Sequence, residues 1–324
     1  MHVFFKSFKT FQTVSTSMAL SYELTESIYD AMSLAVITKP STLPNEGDIV
    51  IFENGFIGIL DSFSIKNNAL TLNILQPESI FSRSMFFKNE PFAYVEDYLA
   101  SMISQNYTNQ ADVFYRMPYL NATAVTHTSA NILPDIDDRN VFDIRNYAAK
   151  LRRAKNIRLL WTYSTNALNV GISVVVPTLR NIDMSYPLFL VEEEVFSSSA
   201  VGKITTFCEE TQAYADWYIH EDGTINNDST GTRVSGDWTV LAVNAADQIE
   251  ASVVDEFAKT EYAHSVTFSC TTDYPIEFLD RVVISKNNRL YKSYVSAVTL
   301  ASGSEHKRIT CGELQTEFPY IGGN

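Results

Sequence analysis

The sequence predicts a mostly β protein of the α+β class, with two related small β-barrels flanking a mixed α/β middle region. Three observations lead there. Short segments rich in Val, Ile, Phe and Thr, punctuated by Pro, Gly and Asn, crowd residues 14–81. Helical periodicity is confined to three stretches further along. Two distant stretches also read as copies of one another: GDIVIFENGFIGILDSFSIKNNALTLNIL from Gly47, and DRVVISKNNRLYKSYVSAVTLASGSEHKRITC from Asp280. Each sets an acidic residue before a β-branched run, Asp48 before Ile49-Val50-Ile51 and Asp280 before Arg281-Val282-Val283-Ile284. Each then turns at an Asn pair. Asn54-Gly55 suits the φ > 0 positions of a two-residue hairpin, and Asn287-Asn288 does so at greater steric cost. A second strand, a second turn (Asn67-Asn68; Ser302-Gly303-Ser304) and a third strand follow. The correspondence is one of pattern, and the competing account is that any two antiparallel meanders share these marks.

The elements fall into four segments. Residues 1–88 read as an N-terminal barrel whose strands are TVSTSMALSYEL, YDAMSLAVIT, GDIVIFE, GFIGILDSFSI and ALTLNIL; closing such a sheet removes its exposed edges. Residues 89–156 form a helical and irregular connector. In it, PFAYVEDYLASMISQNY places Phe92, Val95, Tyr98, Leu99, Met102 and Ile103 on one helical face, with Pro91 near the start. A second helix follows Asp143 as N-cap, turning Ile144, Tyr147, Ala148 and Leu151 inward. Residues 157–274 form a mixed middle domain. Its strands are IRLLWTYS, LNVGISVVVP, PLFLVEEEVFSS and GKITTFC; it also has hairpins at Thr165-Asn166 and Asp222-Gly223 and a helix between Asn244 and Tyr262 with Ala246, Ile249, Val253, Val254, Phe257 and Ala258 on its buried stripe. Residues 275–324 are the C-terminal barrel segment.

Composition narrows the function classes. The 324 residues are 45% hydrophobic and 19% charged, without the bias that marks disorder. No apolar run approaches the roughly 18 residues of a membrane span, and no signal-peptide core follows Met1, so maturation in the cytosol and no stable membrane insertion are expected. Cys208, Cys270 and Cys311 are widely spaced and expected to be reduced. The formal charge of −14 is uneven. Glu192-Glu193-Glu194, Glu209-Glu210 and Asp255-Glu256 make residues 191–264 strongly acidic, which argues against duplex DNA binding there. Arg145, Lys150, Arg152, Arg153, Lys155 and Arg158 form the one basic cluster. It reads as a solvated face near a helix C-terminus, or as a surface that meets an acidic partner or passing nucleic acid.

No catalytic or metal pattern is recognisable. His127, His220, His264 and His306 are scattered without ligand spacing, serine lacks a GxSxG elbow, and phosphate-cradling glycine loops are absent, so no cofactor is expected. In a regular strand only Glu192 and Glu194 would share a face, and a solvated edge explains them better than an acid/base pair. Trp161, Trp217 and Trp238 could stack on sugars, but their strand-like context favours packing.

With these residues assembled, the chain resembles the hub proteins of phage tail tips and baseplates, shared by long-tailed phages and contractile injection systems. The resemblance rests on TVSTSMALSYELTESIYDAMSLAV, the GDIVIFENGFIGILDSF hairpin, the helix before HSVTFSC, and the closing DRVVISKNNRLYKSYVSAV with ITCGELQTEF. It implies a non-enzymatic homotrimer presenting six barrels as a ring, so that a threefold tip matches a sixfold tail tube and closes its lumen until DNA release. Asp48, Asn54, Gly55, Asp280, Asn287 and Asn288 would mark the ring-forming hairpins. Implied partners are the tail tube or a distal ring protein, a tape-measure protein, and receptor-binding or fibre proteins, with DNA only in transit. The implied place is the virion tail tip, assembled in the host cytoplasm. Since the sequence stops at Gly322-Gly323-Asn324, a short hub is expected, with lysis left to other proteins. The alternative is a carbohydrate-binding or cell-wall-hydrolysing tail-tip domain.

Overall fold

A computed structural model describes residues 1–28, 31–86, 92–129, 141–197, 200–220, 224–230, 237–258 and 263–315. Pro91 and the Asp222-Gly223 turn lie outside them. By compactness the chain divides into two units, one holding Met1–Val176 with Thr299–Ser304, the other Pro177–Val298 with residues 305–315.

The first unit begins with a barrel of β1 (His2–Lys6), β2 (Thr13–Ser27), β3 (Ser33–Thr38), β4 (Ile49–Phe52), β5 (Ile57–Lys66) and β6 (Ala69–Leu75). The strand order is β1-β4-β5-β6-β3-β2, and a β1–β2 ladder closes the ring, every neighbour antiparallel. The opening strand β1 was not anticipated, because its five residues carry no turn signal on either side. Alternation along β4 does two jobs. Val50 and Phe52 join the barrel interior with Val3, Phe5, Ile37 and Leu72, while Ile49 and Ile51 point into a second core. That second core lies under the remaining elements: β7 (Ser84–Phe86), α1 (Val95–Ile103), β8 (Leu120–Ala124), β9 (Val141–Asp143), α2 (Ile144–Lys155), β10 (Ile157–Tyr163) and β11 (Leu168–Val174). The expected stripes hold, with Tyr98, Leu99 and Ile103 of α1 and Ile144, Tyr147 and Leu151 of α2 buried. Asp143 caps α2 by accepting the Asn146 N–H at 2.6 Å, and Asn156, at φ 53°, ends it. The Thr165-Asn166 hairpin joins β10 to β11 in antiparallel register, and β8 adds to β11 in parallel.

The second unit contains β12 (Leu179–Asp183), β13 (Leu190–Phe196), β14 (Val201–Cys208), β15 (Ala213–Ile219), β16 (Ile225–Asn226), β17 (Asp237–Val243), α3 (Ile249–Ala258), β18 (His264–Thr271), β19 (Arg281–Lys286), most of β20 (Arg289–Ala301) and β21 (His306–Gly312). Six of these strands run β12-β19-β20-β21-β18-β13. This matches β1-β4-β5-β6-β3-β2 member for member, so the two barrels share their strand order. The division differs from the four segments read from sequence. Residues 179–183 and 190–196, assigned there to the middle region, are barrel strands, and the sheet of β14 to β17 with α3 is inserted between β13 and β18. The buried Cys270 and Cys311 belong to this barrel's core and Cys208 is buried in β14; all three are free thiols.

The repeat extends to individual hydrogen bonds. Asp48 Oδ2 accepts the N–H of Asn45 at 2.7 Å, three residues back, and Asp280 Oδ2 accepts that of Glu277 at 3.1 Å. The Asp48 carbonyl receives Leu60 N–H and the Asp280 carbonyl receives Val295 N–H, both at 2.9 Å. The preceding residue has positive φ in both, Gly47 at 85° and Leu279 at 68°. Each aspartate also reaches its barrel's first strand: Asp48 Oδ1 accepts Phe8 N–H just after β1, and Asp280 Oδ2 accepts Arg180 Nε in β12. The turns differ in detail. Asn287 and Asn288 both take positive φ, at 50° and 61°, but at Asn54-Gly55 only Gly55 does, at 94°. There the loop is one residue longer than expected, with Gly55 N–H to Phe52 O and Phe52 N–H to Phe56 O, both at 2.9 Å.

One strand breaks the equivalence. β1 runs antiparallel to β4, but β12 runs parallel to β19. Following the antiparallel ladders around the second barrel, β12 and β13 therefore point the same way. Only residues 184–189 join them, and a parallel crossover needs about a dozen residues or more. The second barrel cannot close as the first does, and among the described residues β12 pairs only with β19 and β13 only with β18.

The shared aspartates predict a shared cost. Asp48→Ala and Asp280→Ala each leave two buried or half-buried donors without an acceptor. Each is expected to lower stability by about 1–3 kcal/mol in urea denaturation; a silent Asp280→Ala would show that only the first staple matters.

Candidate assembly interface

The hairpins proposed to meet neighbouring subunits divide into an inner and an outer part. Asp48 and Asp280 are 4% and 5% exposed, their carboxylates turned into their own loops, so neither can face a partner. Asn54, Gly55, Asn287 and Asn288 are exposed at the turn tips. The acidic residues that signalled the repeat hold the barrel together, and only the turns offer surface.

The basic cluster is not a uniform patch. Arg152 Nη2 lies 3.7 Å from Glu78 Oε1, both side chains largely buried, and Trp161 Nε1 donates to the same oxygen at 3.4 Å. Arg145 is half-buried, and burial lowers its pKa from the usual guanidinium value. Lys155 and Arg158 are half-buried, the latter on β10; the side chains of Lys150 and Arg153 lie outside those described. Helical geometry turned Arg152 toward Glu78, a residue 74 positions earlier, which sequence spacing could not reveal.

The glutamate triplet lies on β13, and its arrangement corrects the expectation from strand alternation. The register shifts between Val191 and Glu193, a bulge at Glu192. The extra residue reverses parity: Glu192 accepts from Ser269 Oγ, while Glu194 takes His264 Nε2 at 3.0 Å and the Lys286 ammonium. Phe196 stacks on the His264 ring with centroids 4.3 Å apart. Burial alone would raise the Glu194 pKa, but Lys286 and His264 hold it below the ordinary carboxylate value. The Glu193 side chain is exposed and bonds to nothing among the described residues.

A second exposed surface is the outer face of β14, β15 and β17. Its polar groups satisfy one another: Trp238 Nε1 donates to Thr205 Oγ1 at 3.0 Å, Thr205 Oγ1 donates to Asp216 Oδ1 at 2.6 Å, and Asp216 Oδ2 pairs with Lys203 Nζ at 2.9 Å. Lys203 in turn lies over the Trp238 ring, 5.0 Å from its centroid. Of the three tryptophans considered for sugars, Trp161 stacks on Phe81 and Trp217 packs against the core under α3. Trp238 alone is exposed, and its ring face is occupied by Lys203. A different carboxylate, Glu96, is fully buried and fastens a loop to α1. Burial pushes its pKa up, yet donors from Thr128, Ser129 and Thr126 together hold it below the ordinary value.

The whole-chain architecture has solved counterparts. A chain of the phage P2 baseplate in its activated conformation with calcium matches with a TM-score of 0.52 and 11% identity, over 97% of this chain and 98% of that one. A tail protein from Neisseria meningitidis matches at 0.50 and 11%, over 98% and 99%. A prophage tail protein from Listeria monocytogenes matches at 0.51 and 10%, over 96% and 94%. The fold is that of phage tail and baseplate proteins. No protein-family model and no curated protein matches the chain.

The Glu194 cluster makes an acid-sensitive contribution. A carboxyl whose folded pKa is depressed adds stability above its unfolded value, near 4.5, and loses it as pH falls. The difference in melting temperature between wild type and Glu194→Gln is therefore expected to be largest above the ordinary carboxylate range and to shrink as the pH falls through the depressed Glu194 pKa.

Proposed function

We propose that the chain is a structural, non-enzymatic subunit of a phage tail tip or baseplate: a homotrimeric hub that adapts a sixfold tail tube to a threefold tip and closes the lumen until DNA is released. The single observation behind this is the pair of barrels with one strand order in one chain. Three copies then supply six similar units, which a sixfold ring can meet without a symmetry mismatch. Chain-long similarity to a phage P2 baseplate chain supports the setting. In this reading the turn tips at Asn54-Gly55 and Asn287-Asn288 lie in the ring, a tail tube or distal ring protein docks on it, and tape-measure and fibre proteins are further neighbours. The basic residues of α2 other than Arg152, which Glu78 holds within the chain, face an acidic surface of an adjoining subunit.

The purified full chain is expected to have the mass of a trimer in light scattering and to give threefold rings with six lobes by negative-stain microscopy. A monomer at micromolar concentration, or a twofold dimer, would overturn the hub.

A further inference from the structure

We propose that the turn spanning residues 109–118 is a lipid-docking element, which seats its apolar tip in the surface of an anionic bilayer. Val113, Phe114 and Tyr115 are 72%, 67% and 51% exposed, the longest run of consecutive large apolar residues held in water among the described residues. Such a run costs solubility and has a use only where something meets it. The exposure is built into the turn. Asp112 Oδ1 accepts the Phe114 N–H at 2.9 Å and the Asp112 carbonyl accepts that of Tyr115 at 3.1 Å, while Met117 N–H donates to Tyr107 O at 2.8 Å. Met117 and Tyr119, both buried, anchor the returning chain in the first unit's core. With the amides of Phe114 and Tyr115 satisfied inside the turn, its tip can leave water without orphaning either donor.

Charge and size choose the occupant. The Lys9 ammonium lies 4.3 Å from the Phe114 ring centroid, the Arg83 guanidinium lies 5.0 Å from that of Tyr115, and Arg116 is exposed next in the chain. None of these three cations pairs with a carboxylate among the described residues. The one carboxylate of the turn, Asp112, is engaged in capping it. Apolar rings at a tip with cations at their flanks suit a membrane interface, where rings rest at the acyl boundary and Lys or Arg reach the phosphates. The first unit is net acidic as a whole, but exposed charges more than about 8 Å away are largely screened at physiological salt, so the local excess governs. A protein partner fits less well. The exposed parts of the two rings are on the order of 100–150 Å² each, well short of the roughly 800 Å² per partner of a stable protein contact. The docking is peripheral and reversible, since three residues cannot span a bilayer.

Docking of this kind needs no trimer, so its test is separate from that of the hub. The full chain is sedimented with vesicles of equimolar phosphatidylglycerol and phosphatidylcholine, and with vesicles of phosphatidylcholine alone, at low and at physiological salt. Wild type is expected to bind the anionic vesicles and not the neutral ones, more weakly as salt rises. Phe114→Ser is expected to weaken binding at least about tenfold and Arg116→Ala about fivefold, with melting temperatures unchanged because both side chains are exposed. An environment-sensitive dye on Val113→Cys is expected to shift to the blue when vesicles bind. No sedimentation, binding that Phe114→Ser leaves intact, or equal binding to neutral vesicles overturns the proposal. So does self-association, or capture of an acidic protein, that Phe114→Ser abolishes while the vesicles go unbound.

Discussion

A six-stranded barrel of this connectivity closes only if its first strand runs against its second. In the N-terminal copy the link from β1 to β2 reverses the chain, and the ladder from Val3 to Ser17 completes the ring. In the C-terminal copy the corresponding strand lies parallel to its neighbour, from Leu179 opposite Arg281 to Asp183 opposite Ser285, and among the described residues the ring stays open. The open edge of the second unit follows from that reversal. Its edge residues are exposed, a bulge and three glutamates guard the edge, and a whole sheet with its helix is inserted just beyond it.

Much of this was legible in the sequence, and the misses have identifiable causes. The aspartate before each β-branched run was a sound guide, because a carboxylate capping the N–H three residues back fixes how the chain enters β4 and β19. The stripes of α1 and α2 were legible because 3.6-residue periodicity is local. What depended on distant neighbours was not. Arg152 looked like a surface cation until its partner Glu78 was placed beside it. Strands β12 and β13 looked like part of the middle because residues 197–263 separate them from the rest of their barrel. The faces of Glu192 and Glu194 came out wrong because one bulged residue reverses parity, and no composition signals a bulge without a glycine.

The two exposed regions of the second unit also differ in kind. On the outer face of β14, β15 and β17 the polar groups form a closed circuit through Trp238, Thr205, Asp216 and Lys203. Such a face can be covered without leaving donors unsatisfied, but it has few polar atoms left over to recognise a hydroxyl-rich ligand. β13 is the reverse case, since among the described residues one side of its backbone pairs with nothing and the Glu193 side chain makes no bond. This contrast separates a surface that tolerates contact from one that directs it.

The buried cysteines have a practical consequence. Burial raises the pKa of both Cys270 and Cys311, and Cys208, though its thiol is lowered by Thr211, is equally shielded from solvent. The native chain thus presents no solvent-exposed thiol. A single cysteine introduced at Asn54 or Asn287 could carry a fluorophore or spin label with no endogenous thiol removed, and distances between copies could be read directly from the folded particle.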